Sequence, residues 1–226
     1  MNSIKKFRIK ERFKSKKNRV FRIEVDGEDR VLKIFSSMRR LDREYNVLRL
    51  LQDNLSVPSI YEINRKDRFL IMEFLPGENL CDFVNLKNRE KIRVMNRLAD
   101  WLSDFHSFFK DKHIIRGDSI LRNFIVDGEK LYGLDFEESR IGRVEEDLAE
   151  MCISILTTDE KFTDEKFRLC KFLLESYESR ANLNLNYLNR EIYRALIRFS
   201  ERRNDRDLRK IGLIKLQEYG MINSVV

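Results

Sequence analysis

At 226 residues, with 42% hydrophobic and 37% charged side chains, the chain can build an ordinary core beneath a surface dense in both signs. Only 8 glycines and 2 prolines argue against flexible linkers, low-complexity tails and a many-turned all-β fold, and no apolar stretch approaches the length of a membrane span. The net charge is +7, with a basic cluster in Lys5, Lys6, Arg8, Lys10, Arg12, Lys14, Lys16, Lys17 and Arg19 that reads either as a solvated hairpin or as a surface for an anionic partner.

Residues 4 to 35 read as three strands. Phe7 and Ile9 alternate with Arg8 and Lys10, Val20 to Val25 alternates again, and Asp26-Gly27 turns the chain into Arg30 to Phe35. Arg39 to Gln52 carries Leu41, Tyr45, Leu48 and Leu51 at helical spacing. Val57-Pro58 ends that unit, and Ile60 to Ile63 with Arg68 to Phe74 form a further hairpin. The N-terminal third is thus expected to be a five-stranded sheet with one helix.

After Pro76-Gly77 the pattern turns helical. Asn88 is expected to cap a long helix with Ile92, Met95, Leu98, Ala99, Leu102 and Phe105 on one face. A hairpin interrupts it: Phe124 to Val126, a turn at Asp127-Gly128, and Lys130 to Leu134. Helices follow at Asp147 to Leu156, Thr163 to Ser179, Asn186 to Arg203 and Asp205 to Tyr219, the third with Leu188, Ile192, Ala195, Leu196 and Phe199 toward a core. The fold class expected is α+β in two lobes, residues 1–75 a strand-rich N-lobe and residues 76–226 a helical C-lobe. Cys81, Cys152 and Cys170 form no CxxC pair, which points to a reduced, cytoplasmic protein.

The chemistry concentrates around the second hairpin. Its antiparallel strands bring Asn123 and Asp135 to the same open end, with Asp118 on the loop just upstream. Two hard oxygen donors able to share a Mg²⁺, beside a third carboxylate free to take a proton, suit phosphoryl transfer from a nucleotide. Lys33, in Val31-Leu-Lys-Ile-Phe35, is either a solvent-facing strand residue or a phosphate clamp held by Glu44, eleven residues on. Glu44 could equally make a surface pair with Arg40 or Arg43. Asp135, between Leu134 and Phe136, is costly without compensation. His106 and His113 lack partners at useful spacing, so packing is favoured and zinc is not supported. Arg116 and Arg122 flank Asp118, and either could contact a phosphate.

Together these residues resemble the eukaryotic-type protein-kinase-like superfamily. Lys33 is similar to the strand lysine, Arg43-Glu44-Tyr45-x-x-Leu48 to the helix glutamate segment, and Phe69 to Gly77 to the strand and hinge. There Met72 would be gatekeeper, with backbone groups of Glu73 and Leu75 facing adenine. Arg116-Gly-Asp118 through Asn123 resembles the catalytic loop, Asp135-Phe-Glu137 the metal-binding segment, and Asp147 in Glu146-Asp-Leu-Ala149 the aspartate that buttresses that loop. There are departures. Lys14 to Asn18 stands where a glycine-rich loop is usual, Ile120 replaces the lysine of Ser/Thr protein kinases, and no Ala-Pro-Glu follows. Gly117 and Asp-Phe-Glu are closer to the aminoglycoside phosphotransferase and choline kinase branch, and the short C-lobe to small atypical kinases such as the RIO type, the kinase of the tRNA threonylcarbamoyl complex or lipopolysaccharide core kinases. The resemblance implies ATP and Mg²⁺, with transfer of the γ-phosphate to a hydroxyl, more readily of a small molecule than of a protein. The alternatives are a protein kinase or ATPase of a nucleic-acid-associated complex and a non-catalytic nucleotide-binding module.

Overall fold

The computed structural model describes residues 7–15, 17–85 and 90–223. Lys5, Lys6, Lys16 and the expected cap Asn88 lie outside the described residues.

The first sheet has five antiparallel strands in the order β1-β2-β3-β5-β4: β1 Arg8–Phe13, β2 Arg19–Val25, β3 Glu28–Ile34, β4 Ile60–Asn64 and β5 Phe69–Glu73. Val25 pairs with Glu28 around Asp26-Gly27, both at positive φ (52° and 84°), as a tight two-residue turn requires. Side-chain alternation divides the sheet. Ile23, Leu32, Phe69 and Ile71 form a small apolar cluster, whereas Leu70 and Met72 join the main core with Leu41, Val47, Leu48 and Leu51 of α1 (Met38–Leu51). The Ser37 hydroxyl caps α1 by accepting from the Arg40 N–H at 3.4 Å.

The second hairpin is β8 (Phe124–Asp127) and β9 (Lys130–Gly133), to which β6 (Glu78–Asn79) adds an unexpected third strand against β8. Asp127 pairs with Lys130, so the turn residues are Gly128-Glu129 rather than Asp127-Gly128. Gly128 takes the positive φ (55°) while Asp127 completes the ladder. A short ribbon of β7 (Ile114–Ile115) and β10 (Arg140–Ile141) closes the base of the intervening segment.

The helices are α2 (Leu80–Asn85), α3 (Lys91–Phe108), α4 (Val144–Leu156), α5 (Asp164–Ala181), α6 (Leu188–Arg203) and α7 (Arg206–Glu218), with α3 against α5 and α4 against α6. Ile92 does not belong to the buried face of α3. At about 100° per residue it falls at the margin of the stripe, and it is 56% exposed, while Lys91 and Val94 take the buried positions. Thr163 and Asp205 cap α5 and α7 by accepting from Lys166 N and Leu208 N. No described helix is long and apolar enough to cross a membrane.

Candidate active site

Lys33 faces the α1 side of the sheet, opposite to Leu32, so the helix covers it and leaves it 5% exposed. Its Nζ lies 2.6 Å from Glu44 Oε2, 2.8 Å from Asp135 Oδ1 and 3.6 Å from Glu137 Oε2. Burial alone would lower the Lys33 pKa, but the three carboxylates overcome it and hold the ammonium above its ordinary range. The same burial pushes Glu44 up to about 7 against the pull of Lys33. Asp135 goes the other way: Lys33 outweighs burial and lowers it. Carboxylate oxygens of Glu44, Asp135 and Glu137 lie within 4.8 Å of one another, yet the Lys33 ammonium sits among them, so this trio is an ammonium cage rather than a cation site. Arg40 and Arg43 do not compete for Glu44. They bind the Glu137 carboxylate (3.2 Å) and carbonyl (3.1 Å).

The loop bearing Asp118 hangs from one face of α4. Asp147 Oδ2 accepts the Arg116 N–H at 2.7 Å and Oδ1 the Gly117 N–H at 3.0 Å. Glu150 Oε2 accepts the Ser119 N–H at 3.1 Å, and Ser154 Oγ the Leu121 N–H at 3.1 Å. Residues at i, i+3 and i+7 share a helix face, so a rigid rod holds four backbone donors of an irregular loop, those of residues 116, 117, 119 and 121. Gly117 (φ +75°) is required there, because a Cβ would meet Glu138 O at 2.3 Å.

Asn123 Nδ2 donates to Asp118 O at 2.9 Å, and the Leu134 N–H donates to Asn123 O at 2.9 Å, which joins the loop to the residue before Asp135. Asp135 itself adopts a left-handed φ of 59°, a conformation aspartate tolerates better than most residues. Asp118, Asn123, Asp135 and the Lys33–Glu44 pair are therefore brought together, although they span 102 positions from Lys33 to Asp135. Burial first, and the Asp135 charge second, raise the Asp118 carboxyl above its ordinary range.

The fold has counterparts among known proteins. A family model described as the phosphotransferase enzyme family (APH) matches residues 11–114. A putative aminoglycoside phosphotransferase from Ralstonia eutropha JMP134 superposes with a TM-score of 0.67 at 17% identity, covering 99% of this chain and 87% of that one. The gentamicin complex of APH(2")-IIa gives a TM-score of 0.60 at 17% identity over 96% and 94% of the two chains, and ADP-bound APH(2'')-Ib 0.61 at 16% identity over 96% and 92%. This is the protein-kinase-like fold. The KEOPS complex subunit Bud32 of Pyrococcus abyssi (strain GE5 / Orsay) is 28% identical over 99 residues, a match that spans 43% of each protein.

Within the kinase-like fold the remaining expected residues have definite places. Glu73 ends β5 with its N–H donated to Ser59 O at 2.9 Å, and Leu75 follows, half-buried, in the link toward β6. Arg116 cannot reach a phosphate. It is fully buried, its Nη2 donates to Leu134 O at 2.7 Å, and its guanidinium lies 4.5 to 5.0 Å from the ring centres of Phe124, Phe136 and Trp101. Arg122 is exposed. His106 is structural, bridging Asp147 Oδ2 (3.0 Å) and the Tyr177 hydroxyl (2.8 Å). In the basic cluster, Lys10 pairs with Glu24 and Asp29, and Lys17 reaches across to Glu138 at 2.5 Å.

Sequence reasoning missed Glu150, Ser154 and Asn18. Polar residues at 150 and 154 inside the otherwise apolar run Leu148 to Leu156 were a legible signal for the first two, since polar groups in a buried helix need partners. Asn18 gave no such signal. Its amide donates to Glu137 and its oxygen accepts the Ser36 N–H, which ties the turn before β2 to the Asp-Phe-Glu segment.

Proposed function

We propose that this protein is an ATP- and Mg²⁺-dependent phosphotransferase that moves the γ-phosphate to a hydroxyl of a small molecule. In this reading residues 1–75 form the nucleotide lobe and residues 76–226 the acceptor lobe. The observation that carries it is the Lys33 ammonium held between Glu44 and Asp135 directly beside the Asp118 loop.

Lys33, positioned by Glu44, holds the nucleotide phosphates, and the backbone of Glu73 and Leu75 faces the adenine. Lys17, tied to Glu138, stands at the Asp118 end of the cleft, in the place where a glycine-rich loop is usual. Asp118 takes the proton of the acceptor hydroxyl while that oxygen bonds to the γ-phosphorus and the phosphorus–oxygen bond to ADP breaks. Asp147 keeps Asp118 in place from behind. Asn123 and Asp135 suit a Mg²⁺: the Asn123 carboxamide oxygen is not used by its bond to Asp118, and the Asp135 side chain is 37% exposed. When bound, the ion neutralises developing phosphate charge.

A second reading, a protein kinase or ATPase of a nucleic-acid-associated complex, draws on the similarity to a KEOPS subunit and on the basic N-lobe, with an anionic partner on Arg8, Arg12 and Arg19. The free cysteines Cys81, Cys152 and Cys170 accord with a cytoplasmic setting. ADP release measured with ATP, Mg²⁺ and a panel of sugars, amino alcohols and proteins tests the proposal. Turnover abolished by Asp118→Asn and stimulated by a small hydroxyl compound is expected. Stimulation by protein alone favours the second reading, and absence of ATP binding overturns both.

A further inference from the structure

Beside Asp118 lies a cavity of about 240 Å³ whose walls are almost wholly charged, with Lys17, Arg140, Glu150, Arg198 and Arg202 among them. Two of its cations are already committed. Lys17 pairs with Glu138 at 2.5 Å, and Arg140 with Glu146 at 2.8 Å. Arg198 and Arg202 are different. They stand one turn apart on α6, so both guanidinium groups face the same side. They share a single carboxylate oxygen, Glu150 Oε1, at 3.5 and 3.8 Å, and Arg202 adds Asp118 Oδ1 at 3.6 Å. All three distances are longer than a charge-assisted hydrogen bond. The other oxygen of Glu150 is occupied by the Ser119 N–H. Each guanidinium carries five N–H donors in a planar fork, most of which these contacts leave unspent, and the Arg202 side chain is 53% exposed.

Resting on the phosphotransferase reading, we infer that the acceptor carries an oxyanion, a phosphate monoester or a carboxylate, which Arg198 and Arg202 grip while Asp118 meets the reacting hydroxyl. Planar guanidinium pairs match the oxygen spacing of such anions. Arg202 plays two parts: its contact with Asp118 positions the carboxylate, and its remaining donors go to the anion. The cavity is small beside the ~300–1,000 Å³ of drug-sized sites, so it takes the anionic end of an acceptor or a monosaccharide-sized one whole.

The test is equilibrium dialysis of radiolabelled orthophosphate and, separately, acetate against the full chain saturated with ADP. Saturable binding of either anion is expected, weakened at least ~10-fold in Arg198→Gln and in Arg202→Gln, since each removes a charge-assisted fork. Orthophosphate alone bound identifies a phosphate ester, and acetate alone a carboxylate. Glu150→Gln should tighten binding by removing the competing carboxylate. If a glutamine variant fails to fold, Arg202→Lys, which keeps a point charge without the fork, should give an intermediate loss. Anion binding that is absent, or unchanged in the arginine variants, overturns the inference. Arginine-dependent anion binding in a chain that does not bind ADP would overturn the phosphotransferase reading and the acceptor role, leaving only an anion site.

Discussion

Asp147 is buried with no exposed surface and accepts two backbone N–H groups of the Asp118 loop while facing His106. Asp147→Asn keeps the shape but leaves one acceptor oxygen where two stood, and turns an NH₂ group toward a donor. A hydrogen bond to a charged group contributes ~1.5–3 kcal/mol, and an orphaned buried donor costs a similar amount. Two such defects in one network, which do not add fully, give an expected loss of about 3–5 kcal/mol. With a urea slope typical of small domains, the unfolding midpoint should fall by roughly 1–2 M at unchanged slope. Because Asp118 follows Gly117 directly, the slackened loop should also misplace the proton acceptor, lowering kcat by ~10²-fold. Urea titration followed by circular dichroism reads the first effect and ADP release the second. A loss below about 1 kcal/mol with normal turnover would show that the loop is held by something other than α4.

Three further outcomes are expected. Lys33→Met and Glu44→Gln should each lower turnover, and the double variant should be no worse than the more damaging single one, because the ammonium and its 2.6 Å partner act as a unit; full additivity in a double-mutant cycle would separate them. Burial and Asp135 raise the Asp118 carboxyl, so its contribution to stability is complete below the unfolded pKa and is lost as pH rises through the folded one. Asp118→Asn should therefore stabilise the chain at about pH 8 but not at about pH 3, while turnover falls ~10²–10⁴-fold; a pH-independent stability difference argues against this assignment. Arg116→Gln should leave the KM for ATP unchanged but destabilise by about 3 kcal/mol, because it withdraws the donor to Leu134 O and empties a space enclosed by three rings; a raised KM at normal stability would restore a phosphate-contacting role.

Much of this protein was legible in order and spacing alone. Alternation in Val20 to Val25 and Arg30 to Phe35 and the Asp26-Gly27 turn determine β2 and β3, because strand period and positive φ are local properties. That Asn123 and Asp135 emerge at the same open end followed from hairpin geometry, which brings the ends of two short strands together whatever surrounds them. Where local signals were nearly degenerate the reading slipped: the turn moved by one residue to Gly128-Glu129, and Ile92 fell off the stripe it fits by spacing.

Only the tertiary structure decided what the charges do. Nothing local tells whether Lys33 faces water or lies under α1, since both outcomes satisfy the same alternation; the helix crossing the sheet makes it the centre of three carboxylates. Arg116, whose role the sequence left open between a phosphate contact and none, is enclosed by Trp101, Phe124 and Phe136, residues brought from α3, β8 and the segment after β9. Arg198 and Arg202 carry no local signal, and only the packing of α6 on α4 sets them beside Asp118. Coulomb interactions fall off with distance in space, not along the chain, so the partners that fix a charge's role stay hidden until the chain is folded.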